Sequence, residues 1–238
     1  SQLNLDDFVP EFNREETRLE ETNPNLKPEM RDEFSFSIEK QWLQTNGSLT
    51  LTPYYHKISD LITEIPLVER SGDGNVDSGK EYGVKLDTHF GLEAIGLNNT
   101  LISAGYTWRD SQMNHPFTGQ NVPIERLSDN EWNIKLNQNE LLPGLSFSLT
   151  LKNQSPYQFS RFDYQGRLKN EMKANAFIDY QINKQFKVRL KGDNLLKYKT
   201  SYDRVRHSGL FTQSDALRLE QRSYQRAPRF SLTITGQF

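Results

Sequence analysis

Apolar residues recur at every second position in one segment after another of this chain, and that period admits very few folds. Phe34, Phe36, Ile38 and Trp42 share one parity, while Glu33, Ser35, Ser37, Glu39 and Gln41 hold the other. The pattern returns with Tyr82, Val84, Leu86 and Phe90, then with Ile102, Ala104, Tyr106 and Trp108, then with Trp132, Ile134 and Leu136. It continues through Leu145, Phe147, Leu149 and Leu151, then Ala174, Ala176, Ile178, Tyr180 and Ile182, with Phe177 as an apolar intruder on the polar parity. Phe186, Val188 and Leu190 follow, and the chain ends on Phe230, Leu232, Ile234, Gly236 and Phe238. Residues two apart share one face of an extended strand, so each run predicts a strand with one apolar and one polar side. A weaker strand starts near Leu49 and Leu51, is restricted at Pro53 and loses its alternation toward Val68. The total is about nine strands. A helix would need apolar residues three and four apart, which leaves room for one only at about Glu15 to Glu21.

The connections alternate in length. Short turns are predicted at Thr45-Asn46-Gly47, around Gly91 to Gly96, at Leu141-Leu142-Pro143-Gly144 and at Asn183-Lys184; long polar ones at 66–79, 110–126, 153–168 and 199–220. Transmembrane barrels carry short periplasmic turns and longer extracellular loops, whereas a soluble sandwich has no reason to keep that parity.

Hydrophobic residues make up 34% of the chain and charged ones 25%, with a mean hydropathy of -0.77. No stretch approaches the roughly 20 apolar residues of a membrane-spanning helix, but a spanning strand needs only about 9 to 11, half of them facing lipid. In a sandwich the apolar parity would pack a core; in a barrel it meets lipid. Aromatics near strand ends (Trp42, Phe90, Trp108, Tyr180, Phe238) fit the interfacial girdles of a barrel and favour it. The chain has no cysteine and hence no disulfide framework, and a net charge of -2 gives no reason to expect nucleic acid. It opens Ser1-Gln2-Leu3-Asn4, without a signal peptide, so an upstream region is expected.

Three segments carry a specific resemblance. Residues 23–29, Asn-Pro-Asn-Leu-Lys-Pro-Glu, lead into the first strand. Residues 186–198 end in Asp193-Asn194-Leu195-Leu196-Lys197-Tyr198, and the final segment runs from Arg226-Ala227-Pro228-Arg229-Phe230 to Phe238. The chain thereby resembles the carboxy-terminal part of the barrel of TonB-dependent outer-membrane receptors, with Leu196 where that family usually has Phe. The resemblance implies an all-β, antiparallel transmembrane barrel of 22 strands, plugged by an amino-terminal domain, of which this chain would supply about nine. It implies residues 1–29 as an extracellular segment leading into the barrel and residues 30–238 as strands, turns and outer loops. It further implies the bacterial outer membrane and active uptake of a scarce ligand, such as a ferric siderophore, with no enzymatic role. The partners would be outer-membrane lipid and lipopolysaccharide, the plug and first strands, TonB acting through the plug, and a small ligand. Phe230, Leu232, Ile234, Gly236 and Phe238 would form the assembly signal. A non-transporting barrel, acting as adhesin or assembly platform, shares the strand periodicity and is the alternative.

Chemical sites are sparse. Asp73, Asn75 and Asp77 have the oxygen spacing of a calcium loop, but Ser78 and Val84 stand where that loop needs Gly and Glu, so an ordinary turn is expected. His56, His89, His115 and His207 lack metal-ligand spacing, and no catalytic constellation or cofactor motif is present. The last hairpin is basic, with Lys197, Lys199, Arg204, Arg206, Arg218, Arg222, Arg226 and Arg229 against Asp203, Asp215 and Glu220, and could meet lipopolysaccharide phosphates or an anionic ligand. Tyr157, Phe159, Arg161, Phe162, Tyr164, Arg204, Arg206 and His207 are the candidate ligand-contacting loop residues, and His115 and Phe117 add a second aromatic pair. The opening segment is acidic, with Asp6, Asp7, Glu11, Glu15, Glu16, Glu20 and Glu21 against Arg14 and Arg18.

Overall fold

The computed structural model describes residue 3 and residues 12–13, 18–19, 22–42, 46–67 and 71–236. Its strands are β1 (Phe12–Asn13), β2 (Arg18–Leu19), β3 (Met30–Ser35), β4 (Ile38–Trp42), β5 (Gly47–Pro66), β6 (Ser71–Gly91), β7 (Thr100–Asn114), β8 (Asn121–Val122) and β9 (Asn130–Leu142). They continue with β10 (Leu145–Gln154), β11 (Tyr157–Arg161), β12 (Tyr164–Asn170), β13 (Lys173–Gln181), β14 (Phe186–Asp193), β15 (Lys199–His207), β16 (Ala216–Gln225) and β17 (Arg229–Gly236). One antiparallel sheet carries the order β17-β14-β13-β10-β9-β7-β6-β5-β3, with β4 also on β5 and β8 on β7. A second sheet has the order β11-β12-β15-β16, and β1 pairs with β2.

The nine predicted strands correspond to the nine positions of the large sheet, because β3 and β4 are one strand interrupted. Ser35 lies opposite Tyr54 and Ile38 opposite Leu51 in unbroken register, which puts the gap across from Pro53. The Phe36 N–H donates to the Pro53 carbonyl at 3.2 Å, and proline has no N–H to return the bond. The Ser37 and Thr52 hydroxyls meet at 2.8 Å beside the gap.

Register aligns the parities across strands. Phe90, Ile102, Leu136, Leu149, Ala176, Gly192 and Phe230 form one row across seven strands. Asp87, Gly105, Asn133, Lys152 and Lys173 form a row on the opposite face. Leu190, Phe230, Leu232 and Ile234 are exposed on the apolar face, an arrangement that water penalises and lipid does not.

The connections keep their parity but not their form. At one end of the sheet lie the turn before Gly47, the 3-10 turn Glu93–Ile95, the Pro143-Gly144 turn with Gly144 at φ 76°, and residues 182–185. At the other end the expected loop 66–79 is largely strand. β5 and β6 stay paired from Ser48↔His89 out to Pro66↔Ser71, so the hairpin projects well past its neighbours. The alternation faded because no lipid selects it there. Residues 153–168 and 199–220 likewise hold the hairpins β11-β12 and β15-β16, which pair into a sheet of their own. Of the expected helix at Glu15 to Glu21, Arg18–Leu19 is strand and the remainder lies outside the described residues, as do Thr45, Val68 and Phe238.

Candidate functional site at the outer end of the sheet

The long-connection end is built from four interlocked segments. Residues 23–29 pin the projecting hairpin: Asn75 Oδ1 accepts from the Lys27 N–H at 2.8 Å, and Asn75 Nδ2 donates to the Lys27 and Asp60 carbonyls. Glu29 accepts from the Ile62 N–H at 3.2 Å. Asp73, Asn75 and Asp77 therefore lie along a strand, with the Asn75 amide already engaged. Among the described residues no group of three or more metal-ligating side chains converges.

Asp60 takes φ 51°, and this left-handed step turns Leu61 to the side of Ile58. Both pack with Met113 into a small buried cluster, against which Val76, Val122 and Ile124 lie. Gly79 makes room, since a Cβ there would meet Leu61 and Ile124. Residues 115–129 are thus folded onto the polar side of β5–β7 and fixed there. The Ile124 N–H donates to Ser111 Oγ at 3.0 Å, Arg126 N–H to the Gln158 carbonyl at 2.9 Å, and Ser128 Oγ to the Ser155 carbonyl at 2.8 Å. Buried His115 places Nε2 3.3 Å from Glu125 and 3.1 Å from Ser160 Oγ. Beneath this segment Glu81 accepts from the Tyr54 hydroxyl at 2.8 Å. His56 Nδ1 and Arg109 Nε stand 3.7 and 3.8 Å from the same carboxylate. A cavity of about 280 Å³ opens farther along the polar face between Asp87, Glu131, Asn133, Lys152, Gln154 and Lys173.

The outer sheet gathers the candidate residues. Phe159 and Tyr164 are buried, and Phe159 stacks on Tyr202 at 5.3 Å between ring centroids. Gly166 allows this, because a Cβ there would collide with the Phe159 ring. Arg204 is 4% exposed; its guanidinium sits 4.7 Å from the Tyr164 ring centroid and donates to Glu220 at 2.5 Å. Arg206 reaches Asp163 at 2.7 Å. Arg161 bonds the buried Glu64 of the projecting hairpin. Phe162 sits in the β11-β12 turn, its N–H on Ser71 Oγ at 3.0 Å. His207 Nδ1 lies 2.9 Å from the Ser214 carbonyl. Tyr157 is part-buried at the start of β11. Phe117 and Phe211 pack at 5.3 Å, tying residues 115–120 to the β15-β16 turn.

Glu220 is the centre of this sheet's charge. Arg204, Arg206, Arg218 and Arg222 approach its two oxygens at 2.5, 3.5, 2.6 and 3.6 Å. Burial alone would push its carboxyl up, but the hydrogen bonds from Arg204 and Arg218 outweigh it and hold the group below its usual range. Burial would likewise lower Arg204, and the Glu220 hydrogen bond reverses this and raises it. From the sequence Glu220 stood only as one of three countercharges to the basic hairpin, and Asp163 and Glu64 were missed. Glu220 carried a signal: Arg218, Glu220 and Arg222 alternate with Leu217, Leu219 and Gln221, so they share one face of any strand. Glu64 carried none.

A two-faced antiparallel sheet whose turns are short at one end and elaborated at the other is the wall of a transmembrane β-barrel, its apolar face toward lipid and its polar face toward the lumen. Over residues 8–195 the chain matches the family model described as TonB dependent receptor-like, beta-barrel, and it belongs to that family. Among curated proteins and among solved structures, nothing matches. The family is one of receptors and transporters rather than enzymes, typically of the bacterial outer membrane, and its members work with a plug and with TonB. The match stops before β15, so the family model covers neither the arginine cluster around Glu220 nor the last strand.

Proposed function

We propose that this chain forms barrel wall and outer loops of a bacterial outer-membrane receptor that takes up a scarce ligand, such as a ferric chelate, with energy delivered by TonB through a plug. Residues 1–29 lead into the barrel and 30–238 build it. The family match over residues 8–195 carries the reading. The charged inner face, with Glu81, Arg109, Glu131 and Lys173, supports it, since such a face suits a polar plug better than lipid. Phe230, Leu232, Ile234, Gly236 and Phe238 serve as the assembly signal. At the outer sheet, Tyr157, Arg161, Phe162, Arg206 and His207 are part-buried and are the residues we assign to ligand contact. Phe159, Tyr164 and Arg204 hold them in place.

The test is accumulation of radiolabelled iron from ferric citrate and from a ferric hydroxamate, in cells expressing the complete receptor with and without TonB. Accumulation that requires both receptor and TonB supports uptake of a ferric chelate. Equal accumulation with TonB absent would overturn energised uptake.

A further inference from the structure

We propose that Arg218 and Arg222, backed by Arg204, form a phosphate-binding site on the outer sheet. On β16 these residues alternate with Glu220 between them, and pairing with β15 sets Arg218 directly opposite Arg206 and Arg222 opposite Tyr202. Like charges directly opposite each other destabilise a sheet unless an anion compensates them. Among the described residues, Glu220 is the one carboxylate within ion-pair distance of Arg218 and Arg222. Arg218 reaches Oε1 with both Nε and Nη2 at 2.6 Å, while Arg222 stops 3.6 Å from Oε2. Arg204 takes Oε2 at 2.5 Å and Arg206 stands 3.5 Å from Oε1. Among the described residues, Glu220 is thus approached by four guanidiniums, and Arg206 also pairs with Asp163.

The Arg218 and Arg222 side chains are 65% and 54% exposed, so donors not spent on Glu220 face outward. β16 is an edge strand, open on that flank among the described residues. Arginine's planar fork matches the oxygens of a phosphate, and a monoester's charge of about -1.5 to -2 suits the two exposed guanidiniums of Arg218 and Arg222. Tyr164 and Tyr202 lie under Arg204, 4.7 and 5.4 Å from its guanidinium, and keep the back of the site stiff. The phosphate can come from an outer-leaflet lipid or from a soluble compound; the chemistry of recognition is shared. The inference does not depend on uptake.

The complete receptor, purified in detergent, is titrated calorimetrically with inorganic phosphate and with lipid A in mixed micelles, phosphorylated or dephosphorylated. R218Q/R222Q should weaken binding by about tenfold or more, the size expected when charge-assisted hydrogen bonds are lost. R218K/R222K, which keeps charge without the fork, should fall between. E220Q, which releases the forks from their internal acceptor, should bind more tightly than the wild type. Heat-modifiable gel migration checks that each variant keeps its barrel. Binding of phosphorylated lipid A without inorganic phosphate assigns the site to the membrane, and binding of both assigns it to phosphate generally. Equal binding by wild type and R218Q/R222Q overturns the proposal, as does no binding of either probe. Binding that emerges only after Asp6, Asp7, Glu11, Glu15, Glu16, Glu20 and Glu21 are neutralised also overturns it and makes that acidic segment the occupant.

Discussion

Ile234 and Thr233 are neighbours on β17 with opposite fates. Ile234 pairs with Val188 on the apolar face and is 66% exposed, while Thr233 pairs with Arg189 on the polar face. Replacing Ile234 by Arg should cost roughly 2 to 4 kcal/mol near the middle of the bilayer, whereas Thr233→Arg should be mild. Unfolding of the complete barrel in lipid vesicles measures both, and equal costs would mean that the faces are assigned wrongly. Asn194 is a residue whose role its type announced only in part. It adopts φ 58°, a conformation that asparagine tolerates better than most residues. Its Oδ1 accepts from the Tyr198 N–H at 2.8 Å and its Nδ2 donates to the Arg226 carbonyl at 2.6 Å. The Asp-Asn-Leu motif thereby ends β14 and aims the outer hairpin back toward β17.

Among the elements, the outer sheet is held by ion pairs as much as by ladders, and this makes it sensitive to acid. Glu220 has its carboxyl held below the usual 4.5, so its contribution is fully present above that value and is lost as pH falls through the lowered one. Hydrogen exchange on residues 199–225 of the complete receptor should be flat from neutral pH to about 5, after correction for the intrinsic rate, and protection should drop only in stronger acid. Glu220→Gln should abolish the step. Loosening that began near neutrality would refute the assignment to Glu220. The element boundaries also show what periodicity reports. Strands β7, β9, β10, β13, β14 and β17 were legible because lipid demands an apolar residue at every second position. The outer parts of β5 and β6, and all of β11, β12, β15 and β16, are strands of a different kind. Their alternation is short and is interrupted by polar groups on both sides, as where Gln221 follows Leu217 and Leu219, so hydropathy marks them weakly while pairing persists.

For the molecule as a whole, the large sheet ends on β3/β4 at one side and β17 at the other, and no described strand pairs with either edge. In a bilayer, unpaired backbone groups cost several kcal/mol each because no water replaces the lost bonds. Residues 1–238 purified alone should therefore aggregate or require detergent, and should fold productively only with strands that complete the barrel. A monodisperse, water-soluble monomer with full β-structure, seen by sedimentation and circular dichroism, would contradict the barrel reading. The sequence by itself determined the number of strands in the large sheet and its two faces, since these follow from a period of two and from local turn chemistry. Only the tertiary structure decided that residues 115–129 fold onto the inner face, that the outer hairpins join into one sheet, and that four arginines meet at Glu220. Those contacts join residues far apart in the chain, such as Glu64 with Arg161 and His115 with Ser160. Each depends on register and loop packing, which leave no periodic mark on either partner.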